Sequence, residues 1–193
     1  MLAGFEVPSW SAPLDAEACI RRTPEDIGVR GLFFQLLVNE AAAAGKAAGM
    51  AQYSSFVHYP MREYMRVAVD VAGVLFGDVP LRAALRDLGS RIYPAFKRNM
   101  AGAALFAAAG NDFSKVADLA GRAYSISITR GGVSTKLLGN KRVLVQLRGI
   151  YNFPDCLQVG VWEGALAACH CSGQVALRSL SECDVDFEIA WSQ

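Results

Sequence analysis

The side chains best suited to chemistry cluster near the end of the chain. Cys169-His170-Cys171 lies between Cys156 and Cys183. Thiolates and imidazoles are zinc-ligand types, but the spacing argues against a site. Two thiols two residues apart cannot both turn inward from a helix or a strand end without a local break, and no Cys-x-x-Cys is present. The expectation is therefore no metal, with these thiols filling space as small apolar residues. Thiol catalysis needs a base beside the sulfur and a third group to orient that base. Neighbours in sequence such as Cys169 and His170 usually point apart, and Cys183 could meet His58 only through the fold. His58 precedes Tyr59-Pro60 and reads as a hydrogen-bonded loop histidine, although loops also carry ligand contacts. The string Gly131-Gly132-Val133-Ser134-Thr135-Lys136 lacks the phosphate-loop pattern and lies between strands rather than before a helix. Gly-x-Ser-x-Gly, the dinucleotide fingerprint and His-Glu-x-x-His do not occur. No set of residues converges on a reaction, so the chain is not expected to be an enzyme.

What remains is a set of large aromatic residues. Most aromatics in a domain this size are core. At a junction between helices and a sheet they also line pockets, and Tyr64, Phe76, Tyr93, Phe96, Phe106, Tyr124 and Trp162 are the residues expected to do so here.

Elements must position them. Residues 1–22, with Pro8 and Pro13, read as an irregular N-terminal arm ahead of a single domain over 23–193. Thr23-Pro24-Glu25-Asp26 has the cap, the proline and the acids of a helix start, and that helix runs through Phe33, Leu36 and Leu37 to end near Gly45. Met61–Phe76 carries the clearest helical period, with Tyr64, Val67, Val71 and Val74 on one side and Gly77 after its end. Asp78-Val79-Pro80 opens a further helix with the stripe Leu81, Leu85, Leu88, Ile92 and Phe96, which Pro94 should kink or break. Met100–Ala109 and Asp112–Ala123 read as two more. The period then changes. Tyr124–Thr129 alternates apolar and polar as a half-buried strand does. Val133–Leu138 and Arg142–Ile150 are strands joined at Gly139-Asn140. Pro154–His170, with Gly160 and Gly164 one turn apart, is a helix with one closely packed face. Gly173–Leu180 and Asp184–Trp191 close the chain as strands, with Val185, Phe187, Ile189 and Trp191 on one face. Helices first and strands after define an α+β domain: an N-terminal helical layer on a C-terminal antiparallel sheet interrupted by one helix.

Bulk properties narrow the function. A net charge of +1 with no run of like charge gives no electrostatic footprint for nucleic acid or an anionic membrane. No apolar run reaches the roughly 18 residues of a membrane span. Five cysteines and no signal peptide fit reduced thiols in the cytoplasm. With 53% apolar and 19% charged residues, and with Ala41–Ala44, Ala47-Ala48 and Met100–Ala109 apolar almost all round, some surface is expected to meet a second copy as a homodimer.

Three segments carry a resemblance: Pro80-Leu81-Arg82-Ala83-Ala84-Leu85-Arg86-Asp87-Leu88-Gly89, Gly160-Val161-Trp162-Glu163-Gly164-Ala165-Leu166, and Cys183-Asp184-Val185-Asp186-Phe187-Glu188-Ile189-Ala190-Trp191. Over about residues 25–193 the chain resembles a family of paralogues abundant in myxobacteria. That family looks like a relative of haem-nitric-oxide-binding domains, 4-vinyl reductase domains and transport-complex subunits of the TRAPP type. The resemblance implies helices beside a small antiparallel sheet, an apolar ligand cavity between them, and dimerisation. Haem-binding members use a proximal histidine and a Tyr-x-Ser-x-Arg motif. This chain has only His58 and His170, and Tyr124-Ser125-Ile126-Ser127-Ile128-Thr129-Arg130 has a different spacing, so no haem and no other cofactor is expected. The expected function is that of a non-enzymatic sensory or regulatory module holding an apolar small molecule. The alternative is a dimerising adaptor without a ligand.

Overall fold

A computed structural model describes residues 1–46 and 51–192; the Ala47-Ala48 pair lies outside the described residues. The segment expected as an irregular arm is partly helical. Helix α1, Ala16–Arg22, is capped by the Asp15 carboxylate, which accepts from the Ala18 N–H, and it buries Ile20. Thr23 ends this helix instead of starting the next. Its N–H and its hydroxyl both return to the Cys19 carbonyl, so the side chain that would have capped a following helix is already satisfied.

The chain next forms a short strand, β1 (Gly28–Arg30), and then helix α2 (Gly31–Ala43). Strand β2 (His58–Pro60) pairs antiparallel with β1 and leads directly into α3 (Met61–Phe76). Helix α3 has the expected bounds and buries Met61, Tyr64, Met65, Ala68, Val71 and Ala72, the i, i+3, i+4 spacing of one core-facing stripe. Helix α4 (Leu81–Arg98) continues through Pro94 without the break that was one of the two expected outcomes. A proline leaves the carbonyl four residues earlier without its helical partner. That carbonyl belongs to Ser90, and it lies hard against Gly164, where a Cβ would come within 2.1 Å of it. The extensive packing of α4 along α8 outweighs the local cost.

Helices α5 (Met100–Phe106) and α6 (Phe113–Asp118) are capped by Asn99 and Asp112. Helix α7 spans Ala120–Ser127, so the strand expected at Tyr124–Thr129 is largely helix. Tyr-Ser-Ile-Ser fits a period of two, but Ala120, Ala123, Tyr124 and Ser127 also fit i, i+3, i+4, i+7, and a cavity lies on that second face.

The sheet follows: β3 (Gly132–Gly139), β4 (Arg142–Arg148), helix α8 (Leu157–Ala168), β5 (Ser172–Ser179) and β6 (Val185–Ser192). Its order is β3-β4-β6-β5, all antiparallel. Val143, Val145 and Leu147 of β4 stand opposite Ile189, Phe187 and Val185 of β6 and are buried with Val175 and Leu177 of β5. Helices α6, α7 and α8 lie on the sheet, α4 packs along α8, and α3 and α2 follow outward. The architecture is the expected α+β arrangement of helices on an antiparallel sheet.

Candidate functional site

The core between helices and sheet is not completely filled. A cavity of about 90 Å³ is bounded by Tyr64 of α3, Ile92, Tyr93 and Phe96 of α4, Phe106 of α5, Val116 of α6, Tyr124 and Ser127 of α7, and Gln158, Val161, Trp162 and Ala165 of α8. Val29, Phe33, Ile150 and Asn152 complete much of the wall. Six of the seven aromatics singled out in the sequence (Tyr64, Tyr93, Phe96, Phe106, Tyr124 and Trp162) are in this lining. Phe76 is not. It sits on the last turn of α3, half-buried, with the Arg91 guanidinium 4.8 Å from its ring centroid. Tyr93, Phe96 and Phe106 pack ring against ring, with centroids 5.2 Å apart for Tyr93–Phe106 and 6.2 Å for Phe96–Phe106.

Few polar residues belong to this wall. The Tyr124 hydroxyl donates to Gln158 Oε1, which ties α7 to α8. Three other lining residues have a buried polar atom without a partner among the described residues: Tyr93 Oη, Trp162 Nε1 and Asn152 Oδ1. An unmet buried donor or acceptor costs roughly 1–3 kcal/mol, and most native buried polar groups are satisfied. Burial pushes the phenols of Tyr64, Tyr93 and Tyr124 well above their usual range, so they remain protonated near neutral pH. Sequence reasoning missed Gln158 and Asn152. The one available signal was a glutamine in the otherwise apolar turn Leu157–Gly160; Asn152 lies in a loop, where no period marks burial.

No thiol is in the lining. Cys156, Cys169 and Cys171 are buried, and Cys19 and Cys183 half-buried, all as free thiols. Burial raises Cys156, Cys169 and Cys19 above the ordinary thiol range, which disfavours the nucleophilic thiolate. Among the described residues no group of three His, Cys, Asp or Glu could hold a metal ion. A second, more polar cleft of about 290 Å³ lies beside Cys19, Arg82, Tyr151, Asp155 and Glu182. Its charges are already engaged, Arg82 with Asp155 and Glu182 with Arg22.

The fold is similar to that of H-NOX proteins. The crystal structure of an H-NOX protein from S. oneidensis in the Fe(II)NO ligation state matches with a TM-score of 0.66 at 14% identity, over 85% of this chain and 99% of that one. Unliganded Fe(II) H-NOX protein from K. algicida matches with a TM-score of 0.63 at 11% identity, over 85% of this chain and 97% of that one. At such identities the likeness is one of fold. The chain itself belongs to the family described as protein of unknown function (DUF2378), which matches residues 22–192. No curated protein matches it.

A haem does not fit the residues present. The lining contains no His, Cys or Met to hold iron and no Lys or Arg to meet the two carboxylates of a haem. Its tyrosines are held protonated. His58 on β2 is exposed, and so is His170, which sits just beyond α8 with φ 57°; neither is in the lining. A space of about 90 Å³ is also far smaller than a porphyrin. Among the described residues no helix is long and apolar enough to cross a membrane.

Proposed function

We propose that this protein is a non-enzymatic sensory or regulatory module that binds a small, largely apolar molecule in the cavity between α4, α5, α7 and α8. The observation that carries the reading is the cavity itself: an aromatic wall at the helix–sheet junction, with Tyr93, Trp162 and Asn152 each bearing an unpaired buried polar atom. Mostly apolar walls with a few placed polar groups are the usual make-up of a small-molecule site. The likeness to H-NOX proteins adds that such a fold carries a ligand in other chains, and burial raises the thiols of Cys156, Cys169 and Cys19, which disfavours them as nucleophiles. The wider kinship with 4-vinyl reductase domains and TRAPP-type subunits, and action in the cytoplasm with reduced thiols, belong to the same proposal.

Xenon tests the cavity directly, because it enters apolar cavities that water leaves dry. Under xenon pressure, NMR shifts are expected to cluster on Ile92, Val116, Val161 and Ala165. Shifts spread over the surface, with none at these positions, would overturn the reading. Native mass spectrometry of freshly purified protein supplies the second measurement, with an added small mass on the 20.7 kDa chain supporting it.

A second reading, a dimerising adaptor, has one observation in its favour. Met100 is 83% exposed, and Ala103, Ala104, Ala107 and Ala108 beside it are exposed too, so α5 and the turn after it present an apolar surface. Light scattering at micromolar concentration decides it: a mass near twice 20.7 kDa supports the dimer, and a clean monomer mass excludes it.

A further inference from the structure

We propose that β3 is a docking edge for an extended acidic segment of another protein, one that alternates apolar and acidic residues and joins the four-stranded sheet as a further strand. No residue of β3 is in the cavity lining, so the two sites stand or fall separately.

The two edges of the sheet differ. On β5, Leu177 exchanges backbone bonds with Glu6. On β3, at the other end of the strand order, β4 pairs with one side, and the other side makes no backbone bond among the described residues. Bare N–H and C=O groups of this kind are a template for another chain, and recognition by strand addition uses them.

Side chains define the strand that fits. Val133, Thr135 and Leu137 stand opposite Leu147, Val145 and Val143, so they share the face that meets the helices. Leu137 is nonetheless 57% exposed, and an apolar residue on an added strand would cover it. Ser134 and Lys136 are exposed on the opposite face. From residue 119 to residue 150 the sequence holds six Lys or Arg and no Asp or Glu. Three of the six are engaged: Arg130 with Asp26, Arg142 with Glu188 and Arg148 with Asp186. Arg122 on α7, Lys136 on β3 and Lys141 in the turn after it are exposed, with no ion pair among the described residues. A second copy paired along β3 would crowd these cations into one seam, where like charges repel. An acidic strand neutralises them. A nucleic acid would meet the cations but leave the backbone groups and Leu137 unpaired. The period of a strand then fixes the pattern: apolar residues toward the Leu137 face, acids toward Lys136.

The test titrates the full chain with a capped synthetic peptide, Glu-Val-Glu-Val-Glu-Val-Glu, beside its counterpart with Lys for Glu and a short oligouridylate. Fluorescence anisotropy of the labelled probes reads affinity, and amide hydrogen exchange reads the site. The acidic peptide is expected to bind, to slow exchange within residues 134–138 and not within β5, and to weaken as salt is added. Lys136→Glu is expected to weaken it about fivefold and Leu137→Gln about threefold, with circular dichroism unchanged because both side chains are exposed. Should Lys136→Glu fail to fold, Lys136→Gln takes its place, with an expected loss of about twofold. Failure of the acidic peptide to bind at millimolar concentration overturns the proposal. So does equal binding of the basic peptide, slowed exchange confined to other elements, or affinity unchanged by both variants. Tighter binding of the oligouridylate at the same residues would assign the surface to nucleic acid and overturn it. Exchange at residues 134–138 that slows with protein concentration alone, together with a doubled mass in light scattering, would assign the edge to a second copy and overturn it as well.

Discussion

Tyr93 packs its ring on Phe106 at 5.2 Å and buries a hydroxyl that no described residue receives. Removing both the group and its desolvation cost leaves the packing in place, so Tyr93→Phe is expected to keep or raise the stability of the ligand-free protein, by up to about 1 kcal/mol. Urea unfolding measures it, and a loss of more than about 1 kcal/mol would show that the hydroxyl is bonded after all. Asp186 is the contrasting residue. It is 1% exposed on β6, yet its carboxylate receives Arg148 at 2.6 Å and Arg178 at 2.7 Å. Burial alone would raise its pKa; the bonds from Arg178 and Arg148 outweigh that and hold it below the usual range. Glu188 follows the same pattern, with burial opposed by the Leu2 N–H and Arg142. Both folded-state pKa values are depressed, so their stabilisation is complete above the ordinary carboxylate range near pH 4 and is lost as pH falls below it. Asp186→Asn is expected to cost about 2 kcal/mol at pH 7, moderated because both arginines are partly exposed. It should also flatten the fall in stability below pH 4, as acid titration by circular dichroism would record. At this scale six of the seven aromatics chosen in the sequence are in the cavity lining, because large rings on helical stripes face a core, while Phe76, on the last turn of α3, is not. The buried acids were not legible: alternation along Val185–Trp191 puts Asp186 and Glu188 on the outer face, which sequence reads as solvent.

The seam between α4 and α8 is made of backbone. A Cβ on Gly160 would stand 1.9 Å from the Arg86 carbonyl oxygen, and one on Gly89 2.1 Å from that of Leu157. Neither neighbour is a flexible side-chain end, so an added methyl must separate the helices. Gly160→Ala is expected to cost about 3 kcal/mol and to distort the cavity, since Trp162 and Val161 are on the same helix. Gly73 in α3 is the control: exposed, helical, and with nothing within 4 Å of an added Cβ. There Gly→Ala should stabilise by about 0.5–1 kcal/mol through helix propensity. Thermal unfolding of the two variants side by side checks both signs. The Gly160/Gly164 spacing made this helix and its close face readable in advance, because small residues one turn apart have few other uses. The strand expected at Tyr124 and the break expected at Pro94 came from local rules that packing overrode. In α7 a four-residue alternation matched two periods, and only the position of the cavity chooses between them. In α4 the packing that outweighs Pro94 comes from α8, far away in sequence.

Taken whole, the molecule is a sheet with its main helical layer on one face and its N-terminal segment against the other. Glu6 and Leu177 exchange both backbone hydrogen bonds, at 2.9 and 2.8 Å, so residues 5–7 cover part of the edge strand β5. Phe5 is buried there beneath the Arg178 guanidinium, 4.9 Å from its ring centroid. The Leu2 N–H reaches Glu188, and the same Arg178 holds Asp186. The segment that reads in sequence as an irregular arm thus pairs with the edge of the sheet and reaches Glu188 on its outer face. Its weak sequence signal has a physical reason: one short bridge and one ring leave no periodic trace. Deleting residues 1–8 is expected to have three linked effects. Losing the burial of Phe5 should cost about 2 kcal/mol. Removing the Leu2 contact should move the acid limb of unfolding to higher pH, because Glu188 then titrates nearer its ordinary range. Baring β5 should leave unpaired N–H and C=O groups along a sheet edge, a template for pairing with another chain, so light scattering should show concentration-dependent association beyond that of the intact protein. Association and acid sensitivity unchanged from the intact chain, despite loss of the segment, would show that residues 1–8 lie on the sheet without protecting it.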